Sequence, residues 1–231
     1  MSSVLFRDRH DAGMQLTQAV LKALSELTVP QFDRVVVYAL PKGGLPVAEP
    51  LAQALNCPLN VVVAKKMTRP DNPELAIGAV TADGYIMRSR RNGMFQPSVA
   101  GWHDALKSAH YKAREQLEQL QSICPPVNPV GALALLVDDG IATGMTVAVA
   151  ARSLQTQRPA LLWICAPVAP TQICQELEDW SDRLILLAAP DPFFSVSHFY
   201  ERFEQVEMEE AIACLQRHNQ HFLTELNRPP A

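Results

Sequence analysis

The chain has 231 residues, 48% hydrophobic and 19% charged, with a formal net charge of −4. That is globular composition with enough apolar material for one sizeable core. It carries no global positive field to draw in DNA or an anionic membrane, so any anion binding must be local. The five cysteines, Cys57, Cys124, Cys165, Cys174 and Cys214, form no CxxC pair and read as free thiols of a reducing cytoplasm. The opening "MSSVLFRDRHD" lacks the apolar centre of a signal peptide, and no apolar run approaches the roughly 20 residues that cross a bilayer. The six histidines show no HExxH or other paired metal spacing.

In chain order, Leu16, Ala19, Val20, Ala23, Leu24 and Leu27 recur at helical spacing and predict an amphipathic helix. "RVVVYAL" (34–40) is a near-continuous apolar run of the kind that suits a strand buried on both faces. Val47, Ala48, Leu51, Ala54 and Leu55 predict the next helix. Pro50 fits it if it falls in the first turn, where amides have no helical partner. "LNVVVA" (59–64) predicts a second strand. Asp83-Gly84, between "AIGAVT" and "YIMRS", predicts a hairpin outside the main sheet. Leu106, Ala109, Ala113, Leu117 and Leu120 predict a helix, and "CPPVNPVG" (124–131) a connector. Strands follow at "ALALLV" (132–137), "ALLWICA" (160–166) and "LILLAA" (184–189), with helices from Thr146 to Leu154 and from Pro170 to Leu177. Met208, Ala211, Ile212, Leu215, Phe222 and Leu226 mark a closing helix. This βαβα alternation predicts a three-layer α/β fold with a mostly parallel central sheet.

Two loops carry chemistry. "LLVDDGIATGMT" (135–146) leaves a buried strand and enters a helix, which in open α/β sheets is where ligands bind. Its unpaired amides and the positive end of the helix suit a phosphate, and Gly140 and Gly144 permit close backbone approach. Thr143 and Thr146 add hydroxyl donors. Asp138 and Asp139 would repel a phosphate but accept hydrogen bonds from alcohols. A ligand with a phosphate at one end and vicinal hydroxyls beside it, such as ribose 5-phosphate, satisfies both halves. A helix merely capped by Thr146 would need neither the acidic pair nor two glycines, and no GxxxxGK[ST] phosphate loop is present. The second loop, "ALPKGGLP" (39–46), sets Lys42 beside Gly43-Gly44. A Gly-Gly turn there is common, but next to the first loop it offers a second anion nest and a point charge.

These residues resemble the type I phosphoribosyltransferase family. "LLVDDGIATGMT" looks like its motif for phosphoribosyl pyrophosphate (PRPP), and "PKGG" like its pyrophosphate loop. "FRDRHDAG", "ALPKGGLPVA", "NPELAIGAV", "VDDGIATG" and "PFFSVSHFYERFEQV" are similar to a bacterial branch of that family, which commonly carries Arg where this chain has Lys42. The resemblance implies that Asp138 and Asp139 hold the ribose hydroxyls and that Gly140 and the residues Ala142, Thr143, Gly144, Met145 and Thr146 wrap the 5-phosphate. Lys42, Gly43 and Gly44 would meet the pyrophosphate, with a non-proline cis peptide near Lys42. Mg²⁺ would be bound mainly by ligand oxygens, with Asp138 and Asp139 as the protein groups at hand.

The implied reaction displaces pyrophosphate from ribose C1 by a nitrogen nucleophile of an unidentified, nucleobase-like acceptor. Lys65, Lys66 and Arg69 read as a basic loop that could close over the pyrophosphate, with Lys66 and Arg69 the better candidates. Arg88, Arg90 and Arg91 read mostly as a solvated face. A hood built from about 1–11, 65–103 and 190–205 would cover a core of about 12–64 and 131–190. The helix at about 206–227 would close this single domain, residues 1–231. Phe193, Phe194 and Tyr200 are candidates to stack on the acceptor, although aromatic rings are more often core. His198 and His103 are weaker candidates as proton shuttles. The rival expectation is a PRPP- or nucleotide-sensing regulator that keeps the pocket without turnover. Family habit suggests a homodimer.

Overall fold

The computed structural model describes residues 4–27, 32–69, 72–89 and 99–226. Its helices and strands run α1 (Arg9–Ser25), β1 (Val35–Ala39), α2 (Gly44–Leu55), β2 (Leu59–Val61), β3 (Ala64–Arg69), β4 (Asn72–Thr81), β5 (Ile86–Arg88), α3 (Val99–Leu120), β6 (Leu133–Val137), α4 (Met145–Thr156), β7 (Leu161–Val168), α5 (Cys174–Glu178), β8 (Arg183–Ala188) and α6 (Met208–Leu226). Short 3-10 turns at Gln121–Ile123, Thr171–Ile173 and Val196–Phe199 fill the joints.

The central sheet has the order β2-β1-β6-β7-β8, and every pairing in it is parallel. Apolar residues on both faces of its strands require helices on both sides. Val37 and Ala39, Leu133 and Leu135, and Trp163 and Cys165 pack toward Leu16 and Val20 of α1, Leu45 and Leu51 of α2, and Leu215 of α6. The alternate residues Val36, Leu136, Leu162 and Ile164 pack toward Val147, Ala151 and Leu154 of α4 and Leu177 of α5. The result is the three-layer α/β arrangement expected from the run of strands and helices. Ala39 pairs with Val137 across β1 and β6, so the loops leaving these strands start side by side. The register therefore brings "PKGG" and "DDGIATG" together.

Strands β3, β4 and β5 form a separate antiparallel sheet. Its hairpin turns at Asp83-Gly84 as expected, with Gly84 at φ +93°. The Thr81 hydroxyl donates to the Asp83 carboxylate, and Ser153 of α4 donates to Asp83 Oδ2 at 2.6 Å. The hairpin is thus tied to the core. Met67, Ile77 and Val80 meet Ala105 and Ala109 of α3 in a small core of their own.

Three expectations need correction. The run 59–64 is not one strand: β2 ends at Val61, and Ala64 opens β3 in the other sheet. Its uniformly apolar residues suit either sheet, so composition does not mark the switch. Lys65, Lys66 and Arg69 consequently lie on a paired strand and not in a loop. Pro50 falls in the second turn of α2, because the helix starts at Gly44. The ladder loses one donor there, and the ring is buried.

Candidate functional site

The site is built where β1 and β6 end. The Leu40 amide donates to Val137 O at 2.9 Å, and the Gly44 amide to Leu40 O at 3.0 Å. These bonds fold the loop 40–44 back over the end of β6. The peptide Pro41–Lys42 is cis, the non-proline cis bond that the resemblance implies. Gly43 lies directly against Asp139: a Cβ built there would stand 2.7 Å from Asp139 Cγ and closer still to Oδ2. A Cβ on Gly44 would meet Val137 O at 2.8 Å. Both glycines are thus explained by close approach of the two loops.

The second loop is partly exposed. Ala142 and Thr143 are exposed, and Gly144 takes φ +72° before α4 begins at Met145. The helix cap is Gly144 with no side-chain bond, so Thr146 does not cap it. Among the described residues, the amides of 142–146 donate to no other protein group. The helix start therefore presents unpaired N–H groups to solvent. Gly140 is pressed by Val196 from the segment after β8, and a Cβ there would meet Val168 Cγ1 at 3.2 Å.

The two aspartates sit in an electrostatic conflict. Burial, then the neighbouring Asp139 carboxylate, pushes Asp138 well above the usual carboxylate range. The Asp139 amide donates to Asp138 Oδ1 at 2.9 Å and offsets part of this. Burial also raises Asp139, opposed by Arg9, whose Nε donates to Asp139 Oδ2 at 2.7 Å. The Tyr200 hydroxyl donates to Asp139 O at 2.6 Å. Such paired acids with displaced pKa values mark ligand sites more often than folding cores.

The segment after β8 returns to this site and supplies residues that sequence reasoning passed over. Arg9 Nη1 donates to Glu204 O at 2.7 Å, and its guanidinium lies 3.7 Å from the Phe203 ring centre. Lys42 Nζ pairs with Glu207 Oε2 at 3.4 Å. Arg9 and Asp139 are 130 positions apart, so no local pattern announces the pair. "FRDR" drew notice through the resemblance and as part of the expected hood, but not as a partner of Asp139. Half-buried Lys65 was also underrated. It shares a face of β3 with Met67, toward α3, and its pKa is lowered by burial and then by Lys42 and Lys112. Lys66 is exposed and points to the other face.

Of the three acceptor candidates, Phe194 alone presents an open ring, 73% exposed, 5.9 Å from His198. Phe193 packs on Phe199 at 5.4 Å, and Tyr200 is buried between Phe6 and Phe203. Arg88 covers Trp102 at 4.5 Å. Arg90 and Arg91 lie outside the described residues. Among the described residues, no cluster of three or more His, Cys, Asp or Glu is placed to hold a metal, and no helix is long and apolar enough to cross a membrane.

Comparison with known proteins agrees with this geometry. The phosphoribosyl transferase domain family matches residues 10–185. Two Mycobacterium tuberculosis proteins, from strains CDC 1551 and H37Rv and each named "Putative phosphoribosyl transferase", are 33% identical over 225 residues. The match takes in 94% of this chain and 48% of theirs, so the chain spans about half the length of these curated relatives. A crystal structure of a Thermus thermophilus protein superposes with a TM-score of 0.75 at 29% identity, covering 92% of this chain and 98% of that one. With a family match across most of its length and the motif loops side by side on the parallel sheet, the chain belongs to the phosphoribosyl transferase family.

Proposed function

We propose that the chain transfers the 5-phosphoribosyl group of PRPP to a nitrogen nucleophile of a nucleobase-like acceptor, releasing pyrophosphate. The observation that carries this reading is the contact of the two loops. Gly43 abuts Asp139, so an anion nest, an acidic pair and the free amides 142–146 share one sheet edge. In this reading the amides 142–146 and the Thr143 and Thr146 hydroxyls bind the 5-phosphate, and Asp138 and Asp139 accept from the ribose hydroxyls. Lys42, with the amide of Gly43, holds the pyrophosphate, whereas the Gly44 amide is taken by Leu40 O and Gly44 serves by letting the two loops approach.

Displacement at C1 builds positive charge on the sugar ring and negative charge on the leaving group. Lys42 stabilises the leaving group, with half-buried Lys65 adding to the local positive field. The acidic pair lies on the sugar side, where its negative charge offsets the ring charge. Lys66 and Arg69, on β3, would act from the small sheet that borders this edge. Asp138 and Asp139 are the protein groups that would help hold Mg²⁺ together with the bound ligand, and the ion would supply positive charge against the leaving pyrophosphate. Exposed Phe194 offers a stacking face to a planar acceptor, whereas the Phe193 and Tyr200 rings are taken up by packing. A cytoplasmic setting fits the five free thiols.

The test is pyrophosphate release from Mg²⁺-PRPP across a panel of purines, pyrimidines and amines. Release with one acceptor class supports transfer. Tight PRPP binding with no release for any acceptor would move the assignment to a sensor with the same fold.

A further inference from the structure

Asp139 meets the ligand in the proposed reading, yet one of its oxygens is already engaged. Oδ2 accepts from Arg9 Nε at 2.7 Å and is the atom crowded by Gly43. Arg9 is itself fixed: Nη1 donates to Glu204 O at 2.7 Å, one face lies against Phe203 at 3.7 Å, and its side chain is only 12% exposed. Helix α1 holds the base of this side chain, with Asp8 accepting from the Asp11 amide at 2.9 Å. One guanidinium thus joins the first turn of α1, the end of β6 and the segment before α6.

We infer that Arg9 is a positioning residue: it clamps Asp139 Oδ2 and so aims Oδ1 at the ribose hydroxyls. The inference rests on the phosphoribosyl reading. It assigns Arg9 no contact with the ligand, because two of its donors and one face are engaged by protein. A charge that lets go of three partners to reach a phosphate would give up two short charge-assisted hydrogen bonds and a stacked ring. Retaining them leaves a carboxylate whose Oδ2 is fixed, so the direction of Oδ1, beside the neighbouring Asp138 carboxyl, is set as well, which is what directional recognition of an alcohol requires.

Four proteins test this: wild type, Arg9→Met, Asp139→Asn and the double variant, each titrated calorimetrically with ribose 5-phosphate and with inorganic phosphate. Arg9→Met is expected to weaken ribose 5-phosphate on the order of tenfold, the scale of one charge-assisted hydrogen bond. Inorganic phosphate, which needs only the amides 142–146, is expected to bind unchanged. In the Asp139→Asn background Arg9→Met is expected to add no further loss, since it acts through that carboxylate. Multiplying losses, or an equal loss of inorganic phosphate, would overturn the inference and leave the ribose reading standing. Wild-type affinity in Asp139→Asn alone would remove the ribose reading itself, and the inference with it. If Arg9→Met does not fold, Arg9→Lys carries the same cycle, with a smaller loss that again disappears when Asp139→Asn is present.

Discussion

Replacing Gly43 by alanine separates the contact between the two loops from every other property of the site. Gly43 has φ −62° and ψ −31°, an ordinary helical conformation, so alanine meets no backbone strain. The new Cβ stands 2.7 Å from Asp139 Cγ and closer still to Oδ2, against 3.4 Å for ordinary contact, so the carboxyl must retreat by more than the roughly 0.7 Å that Cγ alone requires. It cannot swing freely, because Oδ2 is bound by an Arg9 that Glu204 and Phe203 fix in turn. The retreat stretches the 2.7 Å bond beyond useful length. Losing a charge-assisted hydrogen bond costs about 1.5–3 kcal/mol, while the Gly→Ala change recovers about 0.4–1 kcal/mol from the unfolded chain. The net expectation is a loss of about 1–2 kcal/mol, or roughly 2–8 °C in Tm for a domain of this size. PRPP affinity falls about tenfold or more, since the carboxylate is misaligned. Thermal melts and calorimetric titration read both. A Gly43→Ala protein with unchanged Tm and unchanged PRPP affinity would refute the claim that the loops meet at this contact.

Asp138→Asn is expected to raise Tm near neutral pH. Because burial raises the Asp138 pKa above its ordinary 3.8, the folded chain keeps a proton that the unfolded chain releases. Stability therefore falls as pH rises from about 4 through the folded value, and asparagine removes that penalty. The gain in calorimetric Tm is expected to vanish toward pH 4, whereas a pH-independent gain would contradict the cause given. Thr143→Ala is expected to weaken ribose 5-phosphate by about 1–3 kcal/mol if its hydroxyl meets the phosphate, a loss that titration resolves. Tyr200→Phe leaves Asp139 O without its 2.6 Å donor and is expected to lower stability by about 1–2 kcal/mol in urea unfolding.

The fold and half of the site were legible because they are written locally. Strands buried on both faces show as unbroken apolar runs, as at Val35–Ala39 and Leu133–Val137. The proposed phosphate loop shows as a change from apolar to acidic to small residues within twelve positions. What stayed illegible depends on partners distant in sequence. The bend at Val62 and Val63 transfers the chain between sheets without a change of composition. Lys66 and Arg69 looked like a lid because nothing in "KKMTR" announces its pairing with β4. Arg9, Tyr200 and Glu207 reach the site through contacts spanning 61 to 165 positions. An aromatic ring such as Tyr200 reads equally as platform or core until its neighbours are known.

The most direct measurement is a crystal structure of the protein with ribose 5-phosphate. The phosphate is expected within hydrogen-bond distance of the amides 142–146, and the sugar alcohols on the carboxylates of Asp138 and Asp139. A sugar phosphate bound elsewhere, or bound at this edge with its hydroxyls turned away from both aspartates, would contradict this expectation.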